Sequence, residues 1–289
     1  MNISSEPLQN NVIRKSINGI LNTTTMDIIE KVTFEEYESH WRKWLTYDTK
    51  NIVNLDKFPY ASYTGGSTPS FGEFIVRHNN RRVRGSRNDF ILTSILCRTY
   101  AKELVYLEDA PIKKNDCVII SLPFSGNGIK YKNMNYLLEQ CNLLGVPVML
   151  DASYFGISYG ITYPLHYKCI TDIVFSHSKN FSLTDARVGI RFTKELIDDT
   201  LSAPQIMGDI FNKIGAHIAI ELMTQFSHNW FINRYLEEYL SLCKQFGLQH
   251  TNTITLALGE KDNPKHARFK RNDYIRICIS EELSGSIMS

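Results

Sequence analysis

The chain has 289 residues, enough for one or two domains with a sizeable core. Hydrophobic residues make up 43% and charged ones 21%, and 32 basic against 30 acidic residues leave a net charge of +2. That balance excludes any global electrostatic drive toward nucleic acid or an anionic membrane, and the longest apolar runs are far too short to span a bilayer.

Residues 1 to about 25 are polar and rich in Asn, Ser and Thr, and read as a loose arm. They lack the basic region and apolar run of a secretory signal. Thr33-Phe-Glu-Glu36 is a capping box, and Phe34, Tyr37, Trp41, Trp44 and Leu45 recur at helical spacing. Tyr60 to Gly72, with Gly65-Gly66 and Pro69, reads as a loop. The four arginines of Arg81 to Arg87 read either as a solvated turn or as a site for an anionic group.

From residue 89 the pattern alternates. Asp89 to Thr93 reads as a strand and Ser94 to Glu108 as a helix. Cys117 to Ser121, Pro147 to Asp151 and Asp172 to Ser176 are short apolar strands, with a helix over Tyr136 to Leu144. Continuous apolar strands separated by helices imply a mainly parallel sheet covered on both faces. Ser121, Asp151 and Ser176 each end such a strand, which is where open α/β sheets bind ligands. Beyond Val188 to Phe192, helical patterns fill Lys194 to Phe246. Strand-like runs at Thr253 to Leu258 and Tyr274 to Ile279 then complete a smaller α+β unit.

The cysteines at 97, 117, 141, 169, 243 and 278 form no CxxC pair and sit mostly in apolar runs. They read as buried free thiols of a reducing compartment, so a cytoplasmic location is expected. The eight histidines form no HxxxH or Cys/His cluster, and no metal site is expected.

The chemistry is concentrated in Ser176-His-Ser-Lys179, in Arg187-Val-Gly189 eight residues on, and in Asp151-Ala-Ser-Tyr154 upstream. Together these motifs closely resemble the active-site signature of pyridoxal-phosphate (PLP) enzymes of the aspartate-aminotransferase superfamily, most of all the class I/II aminotransferases. The resemblance implies fold type I: a three-layer α/β/α large domain with a small α+β C-terminal domain. It divides the chain into an arm and helix at 1–58, a shortened PLP-binding domain at 59–195, and long helices with the small domain at 196–289. It implies that Lys179 forms a Schiff base with the cofactor aldehyde, that Asp151 keeps the pyridine nitrogen protonated, and that Tyr154 bonds the ring oxygen. Ser176, Ser178 and Arg187 are the implied phosphate ligands, and Arg276 the implied grip on the substrate carboxylate. These roles are chemically sound. A carboxylate beside the ring nitrogen favours its charged form, and an arginine fork matches phosphate or carboxylate oxygens.

Some positions depart from the family pattern. Leu122-Pro-Phe-Ser-Gly-Asn-Gly128 occupies the place of an N-P-x-N-P-x-G stretch, so Ser125, with Asn127 nearby, falls where an asparagine is usual. Between Gly65-Gly66 and Pro123 several dozen residues are expected to be missing, among them a phosphate loop and a ring-stacking aromatic. Thr93-Ser94 is the expected stand-in for part of that loop, and Phe124 the nearest aromatic. The resemblance therefore implies amino-group transfer between an amino acid and a 2-oxo acid in a homodimer. A PLP-dependent lyase, decarboxylase or cyclase is the alternative, and a degenerate non-catalytic binding protein the second.

Overall fold

The apolar runs in the middle of the chain become neighbouring strands, each covered on both faces. The computed structural model describes residues 6–47, 51–87, 89–271 and 274–285. Strands β1 (Tyr60–Thr64), β2 (Arg82–Gly85), β3 (Glu103–Tyr106), β4 (Asp116–Ser121), β5 (Val148–Asp151), β6 (Ile170–Ser176) and β7 (Gly189–Thr193) form one sheet in the order β1-β7-β6-β5-β4-β2-β3. The pairings from β3 to β6 are parallel, while β7 runs antiparallel to both β6 and β1.

Alternate strand residues divide the core. Val118, Ile120, Leu150, Ile173 and Phe175 meet Trp41 of α3 (Phe34–Thr46), Leu138 of α6 (Met134–Leu144) and Leu222 of α8 (Lys213–Gln225). Cys117, Ile119, Met149 and Val174 meet Phe71 and Phe74 of α4 (Thr68–Arg77) and Cys97 of α5 (Ile91–Tyr100). Helices on both faces are what made these runs continuously apolar rather than alternating. This is the three-layer arrangement that fold type I implies.

Of the segment expected to be a loose arm, residues 1–5 lie outside the described residues and the rest is not loose. Asn10 caps α1 (Asn11–Thr23), its side-chain oxygen accepting from the amides of Val12 and Ile13 at 2.9 and 3.0 Å. With α2 (Met26–Lys31), this helix packs on α8. Among the described residues of this segment the buried apolar side chains are Leu8, Ile13, Ile20 and Ile29, with Ile17 partly buried against the same core, too sparse a stripe to stand out from polar neighbours. The capping box does open α3, where Thr33 accepts from the Glu36 amide at 3.2 Å and Tyr37, Trp41, Trp44 and Leu45 are buried.

Three further expectations are corrected. Residues 60–72 are a strand and the start of a helix, not a loop: β1 pairs with β7 from Tyr60↔Thr193 to Thr64↔Gly189, and only Gly65 to Ser67 turn the chain into α4. Residues 89–93 do not form a strand. They lead into α5, where Thr93 and Cys97 are buried four residues apart, one turn on the same face.

The arginine run is neither a solvated turn nor an anion site. Arg84 on β2 is fully buried, donating to Asp116 at 2.7 Å and to the carbonyls of Val105, Tyr106, Ala110 and Pro111. Arg82 reaches the other Asp116 oxygen at 2.8 Å, and Arg87 pairs with Asp109 on the surface. A buried carboxylate requires such partners.

After α7 (Ala203–Gly208) and α9 (Trp230–Gln245) come β8 (Gln249–His250), β9 (Leu256–Leu258), β10 (Lys270–Arg271) and β11 (Tyr274–Cys278). These strands form a second, antiparallel sheet in the order β10-β11-β9-β8. Its Leu256, Ile275 and Ile277 join the same core as α3 and α8, so the small sheet is seated on the large one through continuous apolar contact. All six cysteines are free and buried.

Candidate active site at the strand ends

Ser121, Asp151 and Ser176 sit side by side in the sheet order, at the ends of β4, β5 and β6. A cavity of about 160 Å³ opens there. Of the residues expected from sequence, Lys179, Asp151, Tyr154, Ser176, Ser178, Arg187 and Ser125 line it. Ser67, Thr68, Phe90, Ser153 and Thr184, which sequence reasoning did not single out, line it as well.

One end is a cradle of small and hydroxyl residues. The antiparallel β7 brings Gly189 between Thr64 of β1 and Ser176 of β6. A Cβ on Gly189 would lie 2.7 Å from the Phe175 carbonyl and 3.2 Å from the Gly66 Cα, so only glycine lets the Gly65-Gly66 turn pass. Gly66 has φ +80°, and a Cβ there would meet the Arg187 guanidinium at 3.0 Å. Arg187 itself has φ 52°, an unfavourable conformation for a side-chain-bearing residue. The Tyr63 hydroxyl fastens it by donating to the Arg187 carbonyl at 2.7 Å. Ser67 and Thr68 stand at the start of α4, where Pro69 carries no amide hydrogen and the Ser70 amide donates to the Ser67 carbonyl at 3.1 Å, and the Ser176 and Ser178 hydroxyls are 2.9 Å apart. Guanidinium, hydroxyls and a helix N-terminus together make an anion receptor.

Asp151 lies two strands away, on the order of 10 Å across the sheet. Its Oδ1 accepts from the Ser153 amide at 3.0 Å and from the Ser153 hydroxyl, and its Oδ2 lies 3.1 Å from the Ser121 hydroxyl. Burial pushes its pKa up to about 6, with the nearby Asp89 charge adding to the shift and the Ser153 hydrogen bond opposing it. A carboxylate so destabilised is stabilised by an arriving cation.

Lys179 is half-buried in the same cavity. Burial lowers its pKa, the Glu6 charge opposes the shift, and Arg276 adds to it. More of the amine is then neutral and nucleophilic. His177, between the two serines, is a core residue stacked on Trp41 at 4.0 Å, and burial drops its pKa to about 3. It anchors the loop that presents Lys179.

Four expected residues lie outside the cavity wall. Thr93 and Ser94 are on α5, where the Ser94 hydroxyl bonds back to the Ile91 carbonyl at 2.8 Å. Asn127 spends its side-chain oxygen on the Ile129 amide at 3.1 Å. Arg276 is 1% exposed on β11, so it does not face water. Its Nη1 donates to the Ser125 carbonyl at 3.1 Å, placing it against the loop that carries a wall residue. Phe124 packs on Tyr131, and the aromatics lining the cavity are Phe90 and Tyr154. A small-residue turn, Gly65-Gly66-Ser67-Thr68, leads into α4 beside the cavity, with Pro69 in the first turn of the helix as its sequence signal. Phe90 had no comparable local signal.

No family model matches the chain. No curated protein matches it in sequence. Solved structures do. Aspartate aminotransferase from Thermus thermophilus with maleate superposes with a TM-score of 0.70 at 13% identity, covering 99% of this chain and 89% of that one. The chain has the fold of the aspartate-aminotransferase superfamily. N-Succinyldiaminopimelate aminotransferase from Mycobacterium tuberculosis matches with a TM-score of 0.70 at 11% identity, over 99% and 91% of the two chains. A PLP-bound C-S lyase from Staphylococcus hominis matches with 0.66 at 14%, over 99% and 90%. Identities this low carry the architecture and leave the reaction to be argued from the site.

Proposed function

We propose that this chain is a PLP-dependent enzyme that transfers an amino group from an amino acid to a 2-oxo acid. The observation that carries the reading is a single cavity holding a pKa-lowered lysine, a buried carboxylate on its floor, and an anion cradle two strands away. Its donor set fits the cofactor. Ser67, Thr68, Ser176, Ser178 and Arg187 would hold the phosphate, Asp151 the ring nitrogen, Tyr154 and Ser125 the ring oxygen, and Phe90 the ring face. Bound here, PLP would supply an aldehyde that captures an amine and a ring that accepts electrons.

The chain's own residues supply the rest. Asp151 favours the protonated ring nitrogen by opposite charge. Lys179 Nζ, kept partly neutral by burial, would take the proton from the substrate α-carbon and return it. Arg276 acts from behind Ser125 on the substrate carboxylate. The C-S lyase among the structural neighbours supports a lyase as the second reading. A homodimer is part of the proposal. Ile206, Met207, Ile210 and Ile214 stand out from α7 to the start of α8 with half or more of their surface exposed, as an apolar patch awaiting a partner would.

The test is covalent capture. Borohydride reduction of the chain with PLP should label Lys179, and Lys179→Ala should take up no label. Labelling of another lysine overturns the assignment.

A further inference from the structure

Behind the Asp151 floor of the cavity, reached through Ser121, lies a second carboxylate that the reading above leaves unused. Asp89 precedes Phe90 at the entry to α5 and turns its side chain onto the end of β4. Its Oδ2 accepts from the Ser121 amide at 3.1 Å, and its Oδ1 accepts from the Ser121 hydroxyl at 2.7 Å and from the Phe90 amide at 2.8 Å. The same Ser121 hydroxyl oxygen lies 3.1 Å from Asp151 Oδ2. One hydroxyl therefore stands between two carboxylates, and its single proton serves one of them at a time. Ser153 occupies the other Asp151 oxygen, so the Ser121 side of Asp151 is where its orientation is decided.

We propose that Asp89 is a positioning residue for Asp151. Acting through Ser121, it sets the Asp151 carboxylate toward the cavity and places a second negative charge behind it. The floor of the site thereby selects a ligand bearing a protonated ring nitrogen. The inference rests on the proposed function and deepens it. Two like charges joined by one hydroxyl repel until a proton or cation reaches them. Burial raises the Asp89 pKa, as burial and Asp89 together raise that of Asp151. A ring cation answers both charges. A ligand of the same shape with carbon in place of nitrogen answers neither.

The experiment is an absorbance titration of the full chain with PLP and with its 1-deaza analogue, in which CH replaces the ring nitrogen. Wild type, Asp89→Asn and Ser121→Ala are compared. The wild type should prefer PLP. Asp89→Asn, which keeps the shape of the side chain, should cut that preference about tenfold and leave the Kd for the deaza analogue nearly unchanged. Ser121→Ala keeps both charges and removes the bridge, and should cut it by less. Equal weakening of both ligands in Asp89→Asn, the mark of a merely structural role, overturns the inference, as does an unchanged preference. If Asp89→Asn does not fold, Ser121→Ala decides, and an unchanged preference there refutes the relay. A wild type that binds neither ligand refutes the proposed function and this inference together. A wild type that binds PLP, with its preference intact in Asp89→Asn, refutes this inference alone.

Discussion

Gly66→Ala is the sharpest test of the anion cradle, because it perturbs the site without removing any functional group. Two consequences follow from the structure. At φ +80° an alanine bears the steric cost of a left-handed backbone, about 1–2 kcal/mol, which lowers Tm by roughly 2–8 °C in a chain of this size. Independently, the new methyl would lie 3.0 Å from Arg187 Nη2 and 3.2 Å from Cζ, so the guanidinium must shift. If it thereby loses its contact with a phosphate, one charge-assisted hydrogen bond is lost, about 1.5–3 kcal/mol, and the Kd for PLP rises about ten- to hundredfold. Pyridoxal, which lacks the phosphate, should bind the variant as it binds the wild type. Arg187→Ala should weaken PLP to a similar extent and add little in the Gly66→Ala background, since both changes remove one interaction. Absorbance titrations with the two ligands, alongside thermal melts, separate the effects. Equal weakening of PLP and pyridoxal, or full PLP affinity in a variant with the expected Tm loss, would place the phosphate elsewhere.

Two further outcomes concern the floor and the far wall. Asp151 has a folded pKa of about 6, above the unfolded value of about 3.9, so between those values the folded state binds more protons. Stability of the cofactor-free protein should therefore fall as pH rises from about 4 to 6, by roughly 2–3 kcal/mol. Asp151→Asn should make that slope shallower, with Asp89 keeping the share that its own raised pKa contributes, and should raise Tm at pH 7 while weakening PLP binding; a slope as steep as that of the wild type contradicts the assignment. Arg276→Lys keeps the charge but loses the planar fork. It should bind PLP normally yet need about tenfold more amino acid for half-maximal spectral change. An unaltered amino-acid dependence makes Arg276 a structural clamp on the 122–128 loop.

What the sequence by itself determines is the local part of the site. The apolar runs that end in Ser121, Asp151 and Ser176 announce strands and the polar groups at their tips. Ser176-His-Ser-Lys179 and Arg187-Val-Gly189 keep their spacing because one loop between β6 and β7 carries both. What only the tertiary structure decides is which distant segments those groups meet. The β1–β7 pairing brings Gly65-Gly66 against Arg187 across more than a hundred residues of chain. Likewise, Asp89 closes on Ser121, Phe90 reaches the cavity, and Arg84 finds Asp116. Composition made 60–72 look like a loop and the arginine run look like an anion site, because local pattern records period and polarity and not register. Register is chosen by burial of both faces of the sheet at once, and that choice exists only when the whole chain has folded.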